Sequence, residues 1–72
     1  MHRFLAVSEK AGKNFLAYSP DLPGCVAPGK TQKDAEEQIQ EAIGMHIRGL
    51  LKDGLPVPKS PSSATFNAVQ AE

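Results

Sequence analysis

Along the first half of the chain, apolar residues come in short bursts separated by turn formers; along the second half they recur at helical spacing. In "HRFLAVSE" the alternation is partial. His2, Phe4, Ala6 and Ser8 fall on one side of an extended chain, and Arg3, Leu5, Val7 and Glu9 on the other. The apolar middle predicts a strand with both faces partly covered. "KAGK" supplies a glycine-containing turn and "NFLAYS" a second strand, so the pair is expected to be a hairpin.

The stretch "YSPDLPGC", residues 18 to 25, places two prolines, an acid, a glycine and the chain's only cysteine in eight positions. Pro20 pushes Ser19 toward extended geometry. Pro23 and Gly24 suit the central positions of a type II turn, where proline presets φ and glycine accepts the positive φ that follows. Leu22, the apolar residue of the turn, is expected to tuck against the sheet. Cys25, Val26 and Ala27 then read as a short third strand ended by "PGK".

From Thr31 the period changes. Thr31 is a good helix N-cap, with Asp34 three residues on in an approximate capping box. Asp34, Glu36 and Glu37 put negative charge at the helix start, and Arg48 and Lys52 put positive charge near its end, as the macrodipole favours. At about 100° per residue, Ala35, Ile39, Ala42, Ile43, Ile47 and Leu50 form one apolar stripe with His46 inside it, suited to packing on a sheet face. Gly44 and Gly49 each cost about 1 kcal/mol in a helix interior, and mark places where another backbone could approach. Gly54, with Pro56 and Pro58 beyond it, stops the helix. "LPVPKSPSS" reads as an extended return across the domain and "ATFNAVQAE" as a final strand carrying Phe66, Ala68 and Val69. The predicted order is β-β-β-α-β, a single α+β domain over residues 1–72.

Size narrows what such a domain can be. At 72 residues, folding buries only about 60% of the surface of the unfolded chain, and one core supplies roughly 3–5 kcal/mol. A single cysteine forms no internal bridge, and one cysteine with two separated histidines is no metal set. Self-association is therefore the expected supplement, and a homo-oligomer the expected state. The formal net charge is zero, from eight basic and eight acidic residues, so nothing resembles a basic nucleic-acid face. The five uncharged residues Phe4 to Ser8 are too few for a signal peptide, and no span approaches the ~20 a membrane helix needs. A soluble cytoplasmic protein is the expectation, and no cofactor is called for.

Isolated reactive residues find structural explanations. His46 lies in the helix stripe, as a packed or rim residue. His2 has no acid or nucleophile placed near it by sequence. Cys25 has no Cys-x-x-Cys partner or obvious neighbouring cation, which predicts a small buried hydrophobe. Ser19 and the serines of "SPSS" lack a nucleophile elbow. Gly24 and Gly29 do not build a phosphate-binding loop. No catalytic and no metal-binding residue is assigned.

Taken together, Tyr18, the turn Asp21-Leu22-Pro23-Gly24-Cys25, Gly29-Lys30-Thr31 entering the helix, Glu41-Ala42-Ile43 within it, and the exit Gly54-Leu55-Pro56 with Pro58 resemble the HicB-like antitoxin family of bacterial toxin–antitoxin systems. The resemblance spans about residues 3 to 69. It implies a truncated ribonuclease-H-like fold: a four-stranded mixed sheet of order 3-2-1-4, its last strand parallel to the first, with the helix on one face. A nuclease of that fold needs clustered carboxylates, and the strands offer only Glu9 and Asp21, at opposite ends of a hairpin. In the family the nuclease is the partner: a HicA-like toxin, small and similar to double-stranded-RNA-binding domains, which cleaves messenger RNA. The antitoxin domain covers its catalytic histidine. Two departures bear on this chain. Family members usually continue into a DNA-binding module, whereas this chain is read as ending with its fourth strand, so no DNA-binding domain or direct nucleic-acid contact is expected. His46 also stands where the family commonly has a bulky aromatic or aliphatic residue.

Asp21 has two readings. It could bond its own backbone in the turn, or with Tyr18 form an acid-plus-aromatic patch for a basic RNA-cleaving partner, where charge complementarity speeds association. Tyr18, Asp21 and Leu22 are thus the candidate partner-binding residues; the helix acids Glu36, Glu37 and Glu41 compete with them. The leading expectation is an antitoxin-like module that neutralises a small mRNA-cleaving toxin by protein–protein contact. The alternative is an orphan oligomeric scaffold or regulator without a toxin; a metal-dependent hydrolase using Asp21 or Glu9 stands last.

Overall fold

In the computed structural model, which describes residues 2–70, the hairpin forms from Val7–Ala11 (β1) and Asn14–Tyr18 (β2). Gly12 opens the two-residue turn between them with φ 63°. This is the first central position of a hairpin turn, where a type II′ turn needs glycine. β2 pairs in turn with Val26–Gly29 (β3), giving an antiparallel sheet of order β1-β2-β3. Pro28, opposite Leu16, is accommodated because β3 is an edge strand, where one row of backbone groups needs no partner.

The helix, Gln32–Lys52 (α1), is capped at both ends by local chemistry. The Thr31 hydroxyl accepts the Asp34 backbone N–H at 3.0 Å, while the Asp34 carboxylate accepts the Lys30 N–H at 3.0 Å. At the far end Gly54 takes φ 69°. Its N–H donates to the Leu51 carbonyl and the Leu55 N–H to the Leu50 carbonyl, the pair of bonds of a Schellman motif. Gly49 lies in this helix with nothing within 4 Å of an added Cβ. Gly49→Ala is therefore expected to raise stability by about 1 kcal/mol, read as a higher urea midpoint at unchanged slope.

α1 lies against one sheet face and comes unusually near it. The facing positions are small: Ala17 and Ala27 stand opposite each other in register, and Gly29 lies beside Ala35. Ala17 and Ala35 are fully buried, and Leu22, Cys25, Ile39 and Ile47 complete the core, with Phe4, Phe15, Ile43 and Leu50 packed around it. The close backbone approach thus falls at Gly29, in the strand, whereas the pattern pointed to the helix glycines. An ideal Cβ there would stand 2.3 Å from the Ala35 nitrogen.

Two expectations require correction. The first strand begins at Val7, not at residue 2. The Leu5 carbonyl accepts the Ser19 hydroxyl at 2.8 Å, and the Leu5 N–H donates to the Ser60 hydroxyl at 3.3 Å. Side chains, not a neighbouring strand, satisfy this backbone. The second correction concerns the fold class. The described residues form β-β-β-α, and neither a fourth strand nor a 3-2-1-4 mixed sheet is present. "ATFNAVQ" alternates, yet Phe66 is 104% and Val69 82% exposed; residues 71 and 72 of that expected strand lie outside the described part. Alternation does not stabilise a strand without a paired edge and a buried face. Here side-chain hydrogen bonds at Ser60 and Ser62, rather than a ladder, tie the segment to the body.

Candidate functional site

Two overlapping turns build the loop between β2 and β3. Leu22 N–H donates to the Ser19 carbonyl at 3.2 Å, with Pro20 at the second position. Cys25 N–H donates to the Leu22 carbonyl at 3.1 Å, with Pro23 and Gly24 (φ 80°) between them. That second turn is the predicted type II turn. A bond from Ser19 N–H to the Cys25 carbonyl, 3.2 Å, closes the loop at its base. The double reversal drives Leu22 inward to 1% exposure and lifts Asp21 to the rim.

Asp21 bonds to a distant segment. Its carboxylate accepts the Ser60 hydroxyl at 2.7 Å, the Ser62 hydroxyl at 2.7 Å and the Ser62 N–H at 3.3 Å. Ser60 in turn meets Leu5, and Leu5 meets Ser19. The resulting clasp joins the N-terminal segment, the loop and the chain beyond α1. Hydrogen bonds from Ser60 and Ser62 stabilise the ionised carboxyl and hold its pKa below the ordinary value. The clasp is thus intact above the ordinary aspartate pKa near 3.9 and is lost as pH falls through the lowered folded value. Backbone NMR is expected to show the Ser60 and Ser62 signals constant from neutral pH down to about 4 and moving below it. Asp21→Asn should remove that titration; signals that still titrate in the variant would exclude Asp21 as the anchor.

Alternation defines the sheet face that α1 leaves open. Register sets Val7, Tyr18 and Val26 in one row across the strands and Glu9, Leu16 and Pro28 in the next. Val26 is 56% and Leu16 37% exposed, and Tyr18 is half-buried. Of the residues proposed from sequence, Tyr18 thus lies on this face, Asp21 sits at the adjoining loop bound to the serines, and Leu22 lies in the core beneath. The partners Ser60 and Ser62 were missed because no local pattern links positions 39 and 41 residues apart. The open-face row, by contrast, follows from alternation once register is known.

The other reactive residues lie apart. Cys25 is buried, and burial pushes its thiol pKa up, which opposes the thiolate a nucleophile requires. His46 is exposed at the rim of a shallow depression shared with Gly24, Val26 and Met45. Glu9, opposite Leu16 on the open face, and Asp21, in the clasp, do not form a carboxylate pair. Among the described residues no three His, Cys, Asp or Glu side chains are grouped to hold a metal ion. No described helix is long and apolar enough to cross a membrane.

Residues 4–72 match the family described as the HicB-like antitoxin of bacterial toxin–antitoxin systems. A chain of the solved HicA3 and HicB3 toxin–antitoxin complex superposes with a TM-score of 0.64 at 34% identity, over 78% of this chain and 65% of that one. A UPF0150 protein of Helicobacter pylori is 40% identical over 50 residues, 69% of each chain. An uncharacterised 14.9 kDa protein from the rep–hol intergenic region of Haemophilus phage HP1 is 40% identical over 52 residues, which is 72% of this chain but 39% of the phage protein.

Proposed function

Because the chain belongs to the HicB-like antitoxin family, we propose that it neutralises a small mRNA-cleaving, HicA-like toxin by protein–protein contact, with no chemistry of its own. The observation that carries this reading is the 34% identity and shared fold with a chain of a toxin–antitoxin complex. The open sheet face gives the reading a place. Tyr18 stands at its centre between Val7 and Val26, next to Leu16. An aromatic residue flanked by aliphatic side chains is the kind of anchor that dominates binding energy. Asp21 at the adjoining loop, and Glu36, Glu37 and Glu41 on exposed helix positions, supply negative charge. A toxin that binds RNA carries positive charge for the phosphates. Asp21 beside the open face therefore favours oriented docking there, and the helix acids, on the far side of the sheet, add only long-range attraction. Leu22 acts from beneath, fixing the loop rather than touching the toxin. The bound antitoxin covers the toxin's catalytic histidine and denies RNA access to it.

The test is direct inhibition. A purified HicA-like toxin cleaving a defined messenger RNA should lose its activity as this chain is titrated in, with the endpoint at a fixed stoichiometry and a co-eluting complex on size-exclusion chromatography. An unchanged cleavage rate at micromolar chain would overturn the reading and favour an orphan regulatory domain.

A further inference from the structure

The chain is more extended than its length requires. Its radius of gyration is 14.2 Å, against about 11 Å for a compact domain of this size, and its extents are 53 × 26 × 18 Å. Beyond the clasp the segment from Ser63 to Gln70 is exposed at every position. Its two largest apolar residues, Phe66 and Val69, are 104% and 82% exposed. From Ser60 to Gln70 it carries no charge. A charged segment stays solvated, whereas an uncharged one that presents an aromatic residue gains by burying it.

On the body of the same chain, α1 and the N-terminal segment bound a groove of 840 Å³. Phe4, Ile43, Ile47 and Leu51 line its apolar side, and Glu41 and Arg48 lie at its rim. Leu51 is 56% exposed. We propose that the segment Ala64–Val69 is an exchange arm: in a symmetric dimer it lies in this groove of a second copy, with Phe66 against Ile43 and Leu51. The proposal concerns self-association and stands whether or not the chain neutralises a toxin.

Geometry, size and symmetry favour a second copy as the occupant. The clasp of Asp21 with Ser60 and Ser62 fixes the arm's root, and from there Phe66 stands free of its own body. From Ser63 the extended chain carries Phe66 about 10 Å out and Val69 about 20 Å, so the two bodies pack close beside the arm's root when Phe66 enters the partner's groove. Each copy carries one arm and one groove, so a twofold axis engages both arms and closes the assembly. Burying Phe66 and Val69 with the matching groove surface, twice over, removes on the order of 1,000 Å², the lower bound of a specific interface. The uncharged arm adds no ionised group of its own to a groove that already carries Glu37, Glu41 and Arg48. The open sheet face stays free for another partner.

Sedimentation of the 72-residue chain without any toxin is expected to give twice the 7.7 kDa of one chain. Phe66→Asp should be monomeric with an unchanged far-UV spectrum, since Phe66 supports nothing in its own fold. Mixing a Phe66→Cys chain with a Leu51→Cys chain under mild oxidation should yield the disulfide-linked pair of the two. A monomeric wild-type chain at about 100 µM, far above a μM-range Kd, would overturn the proposal. So would a dimer that survives Phe66→Asp, or a mixture of the two cysteine chains that yields no disulfide-linked pair of the two. Because no toxin is present, failure here leaves the inhibition assay untouched, and failure there leaves this result untouched.

Discussion

Gly29→Ala is expected to remove most of the stability of this protein. An added Cβ would stand 2.3 Å from the Ala35 nitrogen, 2.6 Å from its Cα and 2.9 Å from its Cβ. Two of those three atoms are backbone of a capped helix and cannot swing aside as a long side chain does. Relief requires α1 to lift off β3, which separates Ala17, Ala27 and Ile39 from their contacts as well. Overpacking costs typically about 1–3 kcal/mol, and a backbone obstruction belongs at the upper end. Against roughly 3–5 kcal/mol for a core of this size, the loss leaves a marginal fold. At about 4–8 °C per kcal/mol for such domains, the thermal midpoint should fall by roughly 15–20 °C. A circular-dichroism melt of the two proteins decides it. A midpoint within roughly 3 °C of wild type, well inside one kcal/mol on that scale, would mean that helix and strand are not in backbone contact at Gly29.

Binding of the proposed HicA-like toxin should be the second casualty of a single substitution. Tyr18 occupies the middle of the open-face row, paired with Val7 on one side and Val26 on the other. Central aromatic residues of this kind cost about 2–4 kcal/mol when truncated, so Tyr18→Ala is expected to weaken toxin affinity about 100-fold, or 2.7 kcal/mol. Because Tyr18 is half-buried, its truncation also touches the fold, and Val26→Asp provides the cleaner test. Val26 is 56% exposed on an edge strand, where a carboxylate is solvated in the free protein and desolvated only under a partner. Its melting midpoint should fall by no more than about 4–8 °C, the scale of about 1 kcal/mol of strand propensity, while its affinity, measured by calorimetry against the toxin, falls by a comparable factor of about 100. Full affinity in both variants would place the toxin elsewhere on the domain, with the helix acids next to be tested.

Chain separation governs how much of this molecule was legible beforehand. The Thr31 cap, the Pro23-Gly24 turn and the Gly54 stop are each closed by bonds between residues at most five apart. Backbone sterics and neighbouring donors settle such features wherever the segment sits, so residue types alone predict them. The apolar stripe of α1 was legible for the same reason. Its buried members Ala35, Ile39 and Ile47 repeat at helical spacing. The family, too, was readable from ordered motifs, from Tyr18 through the Asp21–Cys25 turn to the Gly54 exit. Gly29 was harder, because the need for glycine comes from the helix that crosses over it. The reading of Asp21 as either a turn-binder or a partner contact omitted its serines, which approach from beyond the helix.

Local chemistry alone therefore determined the hairpin, the Pro23-Gly24 turn, the helix with both its ends, and the motif of the family. The tertiary structure decided the rest. It set where β1 starts, since Ser19 and Ser60 satisfy Leu5 and leave residues 2–6 outside the ladder. It set the fate of "ATFNAVQ", whose alternation is only a capacity for pairing until an edge and a covering surface are supplied. It also set which side of the sheet remains open, because the small side chains of Ala17, Ala27 and Gly29 admit α1 on one face and leave Tyr18 and Val26 on the other. A period in the sequence states which residues share a face; only packing decides whether anything covers it.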